Sequence, residues 1–152
     1  MPACGPCALA VGRPRREAQR DSGWNPSRRW NVDTMTTMVN QTTGGKLARR
    51  VLRCDTFWKR GRGLMFRRAL QEDEVLLFVE RRASVAQTSI HMLFVFFPIA
   101  VVWLDGERRV VDKRLARPFR PYYAPRQPAQ YYVEGQPALL ERVSIGDRLE
   151  FV

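Results

Sequence analysis

The apolar run SIHMLFVFFPIAVVWLD, residues 89–105, constrains the fold of this chain more than any other segment. A helix needs about 18 consecutive apolar residues to span a bilayer, and this run is shorter because His91 lies near its start and Pro98 interrupts it. Its phenylalanine, valine, isoleucine and tryptophan content favours β-strands, and proline is tolerated at a strand start rather than in mid-strand. The run therefore predicts a strand IHMLFVF, a bend at Phe97 and Pro98, and a strand IAVVWL, with no membrane span.

The segments around this run predict a β-rich domain. DGER, after IAVVWL, is typical of a hairpin loop, and Asp105 and Asp147 are predicted to accept backbone hydrogen bonds in turns. Strands are also predicted for KLARRVLRC, VLLFVE, YYVE and the end of SIGDRLEFV, and short helices near Asp55, for LMFRRAL and for QPALLERV. The predicted fold class is α+β and β-dominated: a compact mixed sheet or barrel-like body of about seven short strands, with two or three short helices.

The chain divides by composition into a tail and a globular domain. Residues 1–45 show no sustained strand or helix period and are rich in polar residues, arginine, glycine and proline, which predicts a disordered segment. Residues 46–152 are predicted to form one domain. Because the tail is predicted to be disordered, Met35 or Met38 is a candidate for the true translation start.

Charge and cysteine content indicate which partners and which cellular compartment to expect. Lysine and arginine number 26 against 15 acidic residues, and the net charge of +11 attracts polyanions. The three cysteines favour a reducing compartment, and we expect a cytoplasmic protein. Cys4 and Cys7 have the C-x-x-C spacing of redox motifs but lack a preceding strand, so neither a redox role nor a metal site is predicted.

The order of these segments resembles the family called domain of unknown function 192. The resemblance covers about residues 46–152 and depends most on RGLMFR and on GDRLEF near the end. It implies a compact β-rich bacterial or archaeal domain, and it implies no reaction. The chain departs from the family pattern at residues 92–95, where many members have Met-Lys-Asn-Thr, and at Ala100, where many have an acidic residue.

Two candidate sites follow from the residues themselves. The turn RGRGLMFR could hold a phosphate or carboxylate, because guanidinium groups crowd a glycine-rich turn before a helix; the candidate ligand-binding residues are Arg60, Arg62, Gly63, Arg67 and His91. The proline-rich segment RPFRPYYAPRQPAQYY alternates arginine with aromatic residues, as polyanion-binding loops do. Its candidate residues are Arg117, Arg120, Tyr122, Tyr123 and Arg126.

No complete catalytic constellation is visible, so the leading hypothesis is a non-enzymatic binding module, with an anionic ligand as partner. Two alternatives stay open at this point. One is a hydrolase-like enzyme with His91 as acid or base, since histidine titrates near neutral pH. The other is a non-specific nucleic-acid binder that uses the arginine and aromatic loop. No cofactor is predicted, and local structure is the competing explanation for every candidate residue.

Overall fold

The computed structural model describes residues 37–54, 64–65 and 67–152. Within these ranges the chain forms eight strands in two sheets, which is a β-dominated fold. The strands are β1 Met38–Asn40, β2 Gly45–Ala48, β3 Arg50–Arg53, β4 Glu74–Ser84, β5 Ile99–Leu104, β6 Val110–Ala116, β7 Ala129–Gly135 and β8 Leu149–Phe151.

The larger sheet has five strands in the order β3-β4-β7-β5-β6. β5 is paired on both edges, and all six of its residues are buried, as its continuous apolar sequence predicts. β4 is likewise buried over most of its first seven residues. Side chains alternate between the two faces, so each face has its own apolar cluster.

One face of this sheet packs against the smaller sheet. We call it the Val102 face, and it comprises Val75, Leu77, Val102, Leu104 and Val133. The smaller sheet, of order β2-β1-β8, contributes side chains to the same cluster, as does a 3-10 helix at Pro137–Glu141.

The helix is tied to the sheet by a lysine. Lys113 Nζ donates to the backbone oxygens of Leu140 (2.7 Å) and Val143 (2.5 Å), at and just beyond the end of the 3-10 helix. This contact satisfies carbonyl groups that the helix itself leaves without partners.

The predicted turns are confirmed in their structural roles. Asp105 Oδ1 accepts from the backbone N–H groups of Glu107 and Arg109 in the β5–β6 hairpin. Asp147 Oδ2 accepts from Asn40 Nδ2 at 2.7 Å and from the Ser144 backbone N–H at 2.8 Å. The Asn40 contact joins the last residue of β1 to the turn that precedes β8.

The prediction of two or three helices is wrong for the described residues, where the 3-10 helix is the one helical element. Leu64 and Met65 form a turn, and the described residues after them are irregular up to β4. The predicted barrel is replaced by two open sheets of three and five strands. The helical turn expected near Asp55 lies outside the described residues.

The predicted strand IHMLFVF does not form either. Both edges of β5 are already occupied by β6 and β7, so this segment cannot form a hairpin with the strand that follows it. It follows an irregular path instead, with a turn at Leu93 and Phe94 and a single bridge between Ile90 and Tyr123. No helix in the described part of the chain is long and apolar enough to cross a membrane.

The predicted domain boundary at residue 46 falls inside the smaller sheet. β1 is the central strand of that sheet, and Met38 is fully buried in the core. β1, which precedes residue 46, is held in place by pairing with β8 at the other end of the described chain. No local sequence pattern reveals this pairing. The disorder expected for the first residues, the Cys4–Cys7 motif and the start at Met35 lie outside the described residues.

Candidate functional site

The face of the five-stranded sheet opposite the Val102 face carries a buried acid at its centre. We call it the Trp103 face, and it comprises Leu76, Phe78, Val101, Trp103, Tyr132 and Glu134. Glu134 is on the central strand β7, directly between Leu76 of β4 and Val101 of β5. The Phe78 and Tyr132 rings stack beside it, with centroids 4.4 Å apart.

The direct cross-strand neighbours of Glu134 are apolar, and the described residues give its carboxyl no partner. Its relative exposure is 8%, and it makes no side-chain hydrogen bond or ion pair with a described residue. In the described residues every fully buried side-chain oxygen or nitrogen has a hydrogen-bond partner, so the Glu134 carboxyl oxygens retain a small contact with solvent. Desolvation by burial raises the pKa of Glu134 from 4.5 to about 8.

Two ion pairs involve other acidic side chains on this face. Arg67 Nη1 lies 2.7 Å from Glu74 Oε1, and the Glu74 side chain is only 6% exposed. Arg114 Nη2 lies 3.4 Å from Asp112 Oδ2, which also accepts from the backbone N–H of Arg126. Among the described residues, no cation compensates Glu134, and this distinguishes it from Glu74 and Asp112.

The predicted anion site is only partly within the described residues. Arg60, Arg62 and Gly63 lie outside them. Arg67 is present and is engaged by Glu74. His91 is exposed, and its ring makes no hydrogen bond or ion pair with a described residue. Whether these five residues converge stays a prediction.

The segment around His91 is held by the proline-rich loop. Ile90 and Tyr123 exchange two backbone hydrogen bonds, of 2.8 and 2.9 Å. The Met92 N–H donates to the Arg120 oxygen at 2.8 Å, and the Phe119 N–H donates to the Met92 oxygen at 3.0 Å. Residues 89–98 and 117–124 thus form one connected surface unit, although both segments are irregular.

This unit exposes a group of large apolar side chains, which we call the aromatic loop face. Their relative exposures run from 42% to 63%, and the members are Leu93, Phe94, Phe96, Phe119 and Tyr122. The Phe96 and Phe119 rings meet edge to face at 5.7 Å, and Arg117 and Arg120 are exposed beside them in sequence. Single exposed apolar residues are ordinary, but a group on two connected loops is typical of an interaction surface.

Two of these aromatic residues have an unusual backbone conformation. Phe94 and Phe119 both have a φ of 61°, and they are two of the three non-glycine residues with positive φ in the described part of the chain. That conformation is unfavourable for a bulky residue and is found preferentially at functional positions. Arg108, the third, lies in the β5–β6 hairpin turn.

The residues predicted for a polyanion loop are divided by the structure. Arg117, Arg120, Tyr122 and Arg126 are exposed, whereas Tyr123 is half-buried and its phenol oxygen accepts from the Arg117 backbone N–H at 2.8 Å. The sequence interpretation missed Leu93, Phe94 and Phe96, because it assigned them to a strand. It also missed Glu134, although strand alternation with Tyr132 already placed both side chains on one face.

Metal ligands do not cluster in the described residues. They contain no group of three histidine, cysteine, aspartate or glutamate side chains placed to hold an ion. The described residues therefore offer no ready-made metal site next to Glu134.

The family model described as DUF192, Uncharacterized ACR, matches residues 38–151. The chain belongs to the DUF192 family. A UPF0127 protein of Thermococcus kodakarensis is 39% identical over 108 residues, which cover 71% of this chain and 67% of the relative. A UPF0127 protein of Pyrococcus furiosus is 39% identical over 116 residues, which cover 75% and 97%.

Two solved structures share the fold of this DUF192 member. A protein of unknown function from Novosphingobium aromaticivorans has a TM-score of 0.65 and 22% identity, over 76% of this chain and 82% of its own. A protein from Sinorhizobium meliloti, described as a candidate transcription regulator, has a TM-score of 0.66 and 23% identity, over 76% and 91%.

These comparisons test the family resemblance seen in the sequence. The family is confirmed, and its matched range begins at the first residue of β1. The resemblance allowed a bacterial or an archaeal origin, and a bacterial origin is not confirmed, since the curated relatives are archaeal. Leu93 and Phe94 are exposed on the aromatic loop face.

Proposed function

We propose that this DUF192 member is a non-enzymatic binding module whose partner is single-stranded nucleic acid, held at the aromatic loop face. The observation that carries the proposal is the exposure of three phenylalanines and a tyrosine on two hydrogen-bonded loops that also expose Arg117 and Arg120. Unpaired bases stack on exposed rings, and arginine side chains neutralise the phosphates between them.

Architecture, rather than charge, favours this partner over a duplex. The net charge of +11 supplies long-range attraction for any polyanion. Reading a duplex groove commonly requires an inserted helix or a two-stranded ribbon. The one helical element in the described residues is a five-residue 3-10 helix packed on the core. The description of the Sinorhizobium protein as a candidate transcription regulator agrees with a nucleic-acid partner.

The test is fluorescence anisotropy with a labelled single-stranded oligothymidylate and the full-length protein. We expect Phe119→Ala and Tyr122→Ala each to weaken binding about 5-fold to 150-fold, because a base–ring stack contributes about 1–3 kcal/mol. Arg120→Glu is expected to weaken binding and to reduce the dependence of affinity on salt, since it removes a phosphate contact.

Matched controls lie elsewhere on the surface. Ile145 is 63% exposed and apolar, and Arg148 is exposed in the turn before β8. Ile145→Ala should leave affinity unchanged. Arg148→Glu changes the net charge as Arg120→Glu does, so it reports the long-range term alone. Equal losses for the two arginine variants, or unchanged binding in Phe119→Ala and Tyr122→Ala, would reject the aromatic loop face as the contact surface.

The remaining sequence-based hypotheses stay predictions. A small anionic ligand at Arg67 and His91 would have to compete with Glu74 for the guanidinium. A hydrolase using His91 would need a partner group, which the described residues do not supply in this conformation. A cytoplasmic location is part of the proposal and agrees with the small, odd number of cysteines in the chain.

A further inference from the structure

His91 borders the aromatic loop face, and the proposed function leaves it without a role. We propose that His91 is a further contact residue for the single strand: beside Tyr122, its positively charged imidazolium form binds a phosphate. This inference rests on the proposed function, because it assigns one more residue to the same contact surface. It adds that the protein takes up a proton when it binds nucleic acid.

The first step is the position of the residue. Ile90 and Tyr123 exchange two backbone hydrogen bonds in an antiparallel bridge, and the bonds between the two segments continue past His91. In an antiparallel pair of chains, the residues next to a doubly hydrogen-bonded pair form a close pair with their side chains on one side. His91 follows Ile90 and Tyr122 precedes Tyr123, so the side chains of His91 and Tyr122 lie next to each other.

The second step is the direction of these two side chains. Ile90 is 8% exposed and Tyr123 is half-buried, and both pack with the apolar cluster of the Trp103 face. Successive side chains of an extended segment alternate in direction, so the neighbouring residues are turned away from that cluster. His91 and Tyr122 are accordingly both exposed. The imidazole therefore lies on the solvent side, next to a ring that the proposed function assigns to a base.

The third step is the fixed orientation of Tyr122. Its hydroxyl oxygen lies 3.0 Å from Ser89 Oγ, and Ser89 Oγ donates to the Val85 oxygen at 2.7 Å. Because a hydroxyl has one hydrogen, the Tyr122 hydroxyl is the donor to Ser89. These bonds hold the tyrosine without using the imidazole. His91 makes no hydrogen bond or ion pair with a described residue, so both ring nitrogens can serve a ligand.

The fourth step is the charge of the two segments. Residues 83–104 contain no aspartate, glutamate, lysine or arginine, so His91 is the one residue there that can carry a charge near neutral pH. Residues 117–128 add three arginines and two tyrosines but no acid. Neither segment can therefore compensate an imidazolium. The acids on the underlying face of the sheet are only 4–8% exposed, and they are Glu74, Glu80, Asp112 and Glu134.

A phosphate supplies the missing negative charge. An imidazolium donates charge-assisted hydrogen bonds to phosphate oxygens, while the adjacent Tyr122 ring stacks on a base of the same strand. A histidine side chain is ordinarily charged at pH 5.5 and neutral at pH 8. Because the bound phosphate stabilises the charged form, affinity should rise as the pH falls through this range.

The experiment is fluorescence anisotropy with the full-length protein and labelled oligothymidylate at pH 5.5 and pH 8. We expect the affinity of the parent to be about threefold to fivefold higher at pH 5.5, which is the effect of one solvent-exposed ion pair. The slope of log affinity against log salt should also be steeper by about 0.7 at pH 5.5, because one more phosphate of a single strand is neutralised.

Variants locate the effect. His91→Gln stays neutral, so its affinity should match that of the parent at pH 8 and lack the increase at pH 5.5. Burial raises the pKa of Glu134 to about 8, but this group is present in both proteins and cancels in the comparison. The matched control combines His91→Gln with Ile145→His, which keeps one histidine at a different exposed position. It should behave as His91→Gln alone does.

NMR provides a second measurement, because the chain has one histidine and its imidazole Cε1 proton signal is identified without a variant. The pH at the midpoint of this signal's titration should rise when oligothymidylate is bound, and this result decides alone if His91→Gln fails to fold.

The outcomes separate this role of His91 from the proposed function. Parallel pH curves for the parent and His91→Gln, a pH response restored by Ile145→His, or an unmoved imidazole midpoint would overturn the role of His91. The aromatic contacts would still stand if Phe119→Ala weakened binding at pH 8. Absence of oligothymidylate binding by the parent, or unchanged binding in Phe119→Ala and Tyr122→Ala, would reject both proposals.

Discussion

Replacing Glu134 by glutamine tests how strongly the fold is penalised by its central acid. The carboxyl has a pKa of about 8 in the folded protein and 4.5 as its ordinary value. Below pH 4.5 both folded and unfolded states hold the proton. Between pH 4.5 and 8 the unfolded state loses its proton while the folded state retains it, so the free energy of unfolding falls as pH rises. Above pH 8 the carboxyl is ionised in both states, and the loss of folding stability reaches its full value.

The size of the effect follows from the two pKa values. One pKa unit corresponds to about 1.4 kcal/mol, so the penalty is about 1 kcal/mol at pH 5 and about 3 kcal/mol at pH 7. The glutamine of Glu134→Gln cannot ionise, so the variant lacks this pH-dependent loss of stability. A buried amide without partners has its own cost of about 1–3 kcal/mol, but that cost does not change with pH. The stability of the variant relative to the parent should therefore rise by about 2 kcal/mol from pH 5 to pH 7.

The assay is urea denaturation of both proteins at several pH values, with linear extrapolation to water. Subtracting the two curves cancels the contributions of all other titrating groups that the substitution leaves unchanged. Glu141→Gln is the matched control, because Glu141 is exposed and its curve should parallel that of the parent. Parallel curves for Glu134→Gln and the parent would refute the claim that burial holds this carboxyl protonated.

Two further predictions concern contacts that join distant parts of the chain. Asn40→Ala leaves the buried carboxylate of Asp147 without its side-chain donor and should lower the free energy of unfolding by about 1–3 kcal/mol in urea, whereas no change would mean that water replaces the amide. Lys113→Met keeps the apolar stem but removes the donor to the carbonyl groups at the end of the 3-10 helix, so we expect a loss of about 1–3 kcal/mol, measured in the same way. The exposed Lys46→Met is its control, and equal effects for the two lysines would show that net charge, rather than the carbonyl contacts, is responsible.

Parts of the candidate surface were predictable because their cause is local. Arg117, Arg120 and Tyr122 follow prolines or precede them, and proline-rich segments lie on protein surfaces. Tyr123 belongs to the same segment but is half-buried, since its ring oxygen satisfies the backbone of Arg117. Burial within such a loop depends on which neighbour it meets, and composition does not specify the neighbour.

Glu134 could not have been identified as unpaired from the sequence. The strand YYVE predicts that Glu134 and Tyr132 share a face, but it does not say that this strand is central or what lies opposite. Had β7 been an edge strand, the same glutamate could have reached solvent. Its burial comes from the strand order, in which β4 and β5 cover both edges of β7.

By itself the sequence determined the local elements: the bend at Pro98, the buried strand after it, the hairpin at Asp105 and the final turn at Asp147. Proline lacks a backbone donor and short polar side chains bond to nearby backbone, so these features depend on residues a few positions apart. Tertiary structure alone decided the rest. It paired β1 with β8, gave residues 89–98 the proline-rich loop as a partner, and enclosed Glu134 between two strands. Those contacts join residues far apart in the chain, and they form because buried backbone groups and apolar faces must each find a partner within the folded volume.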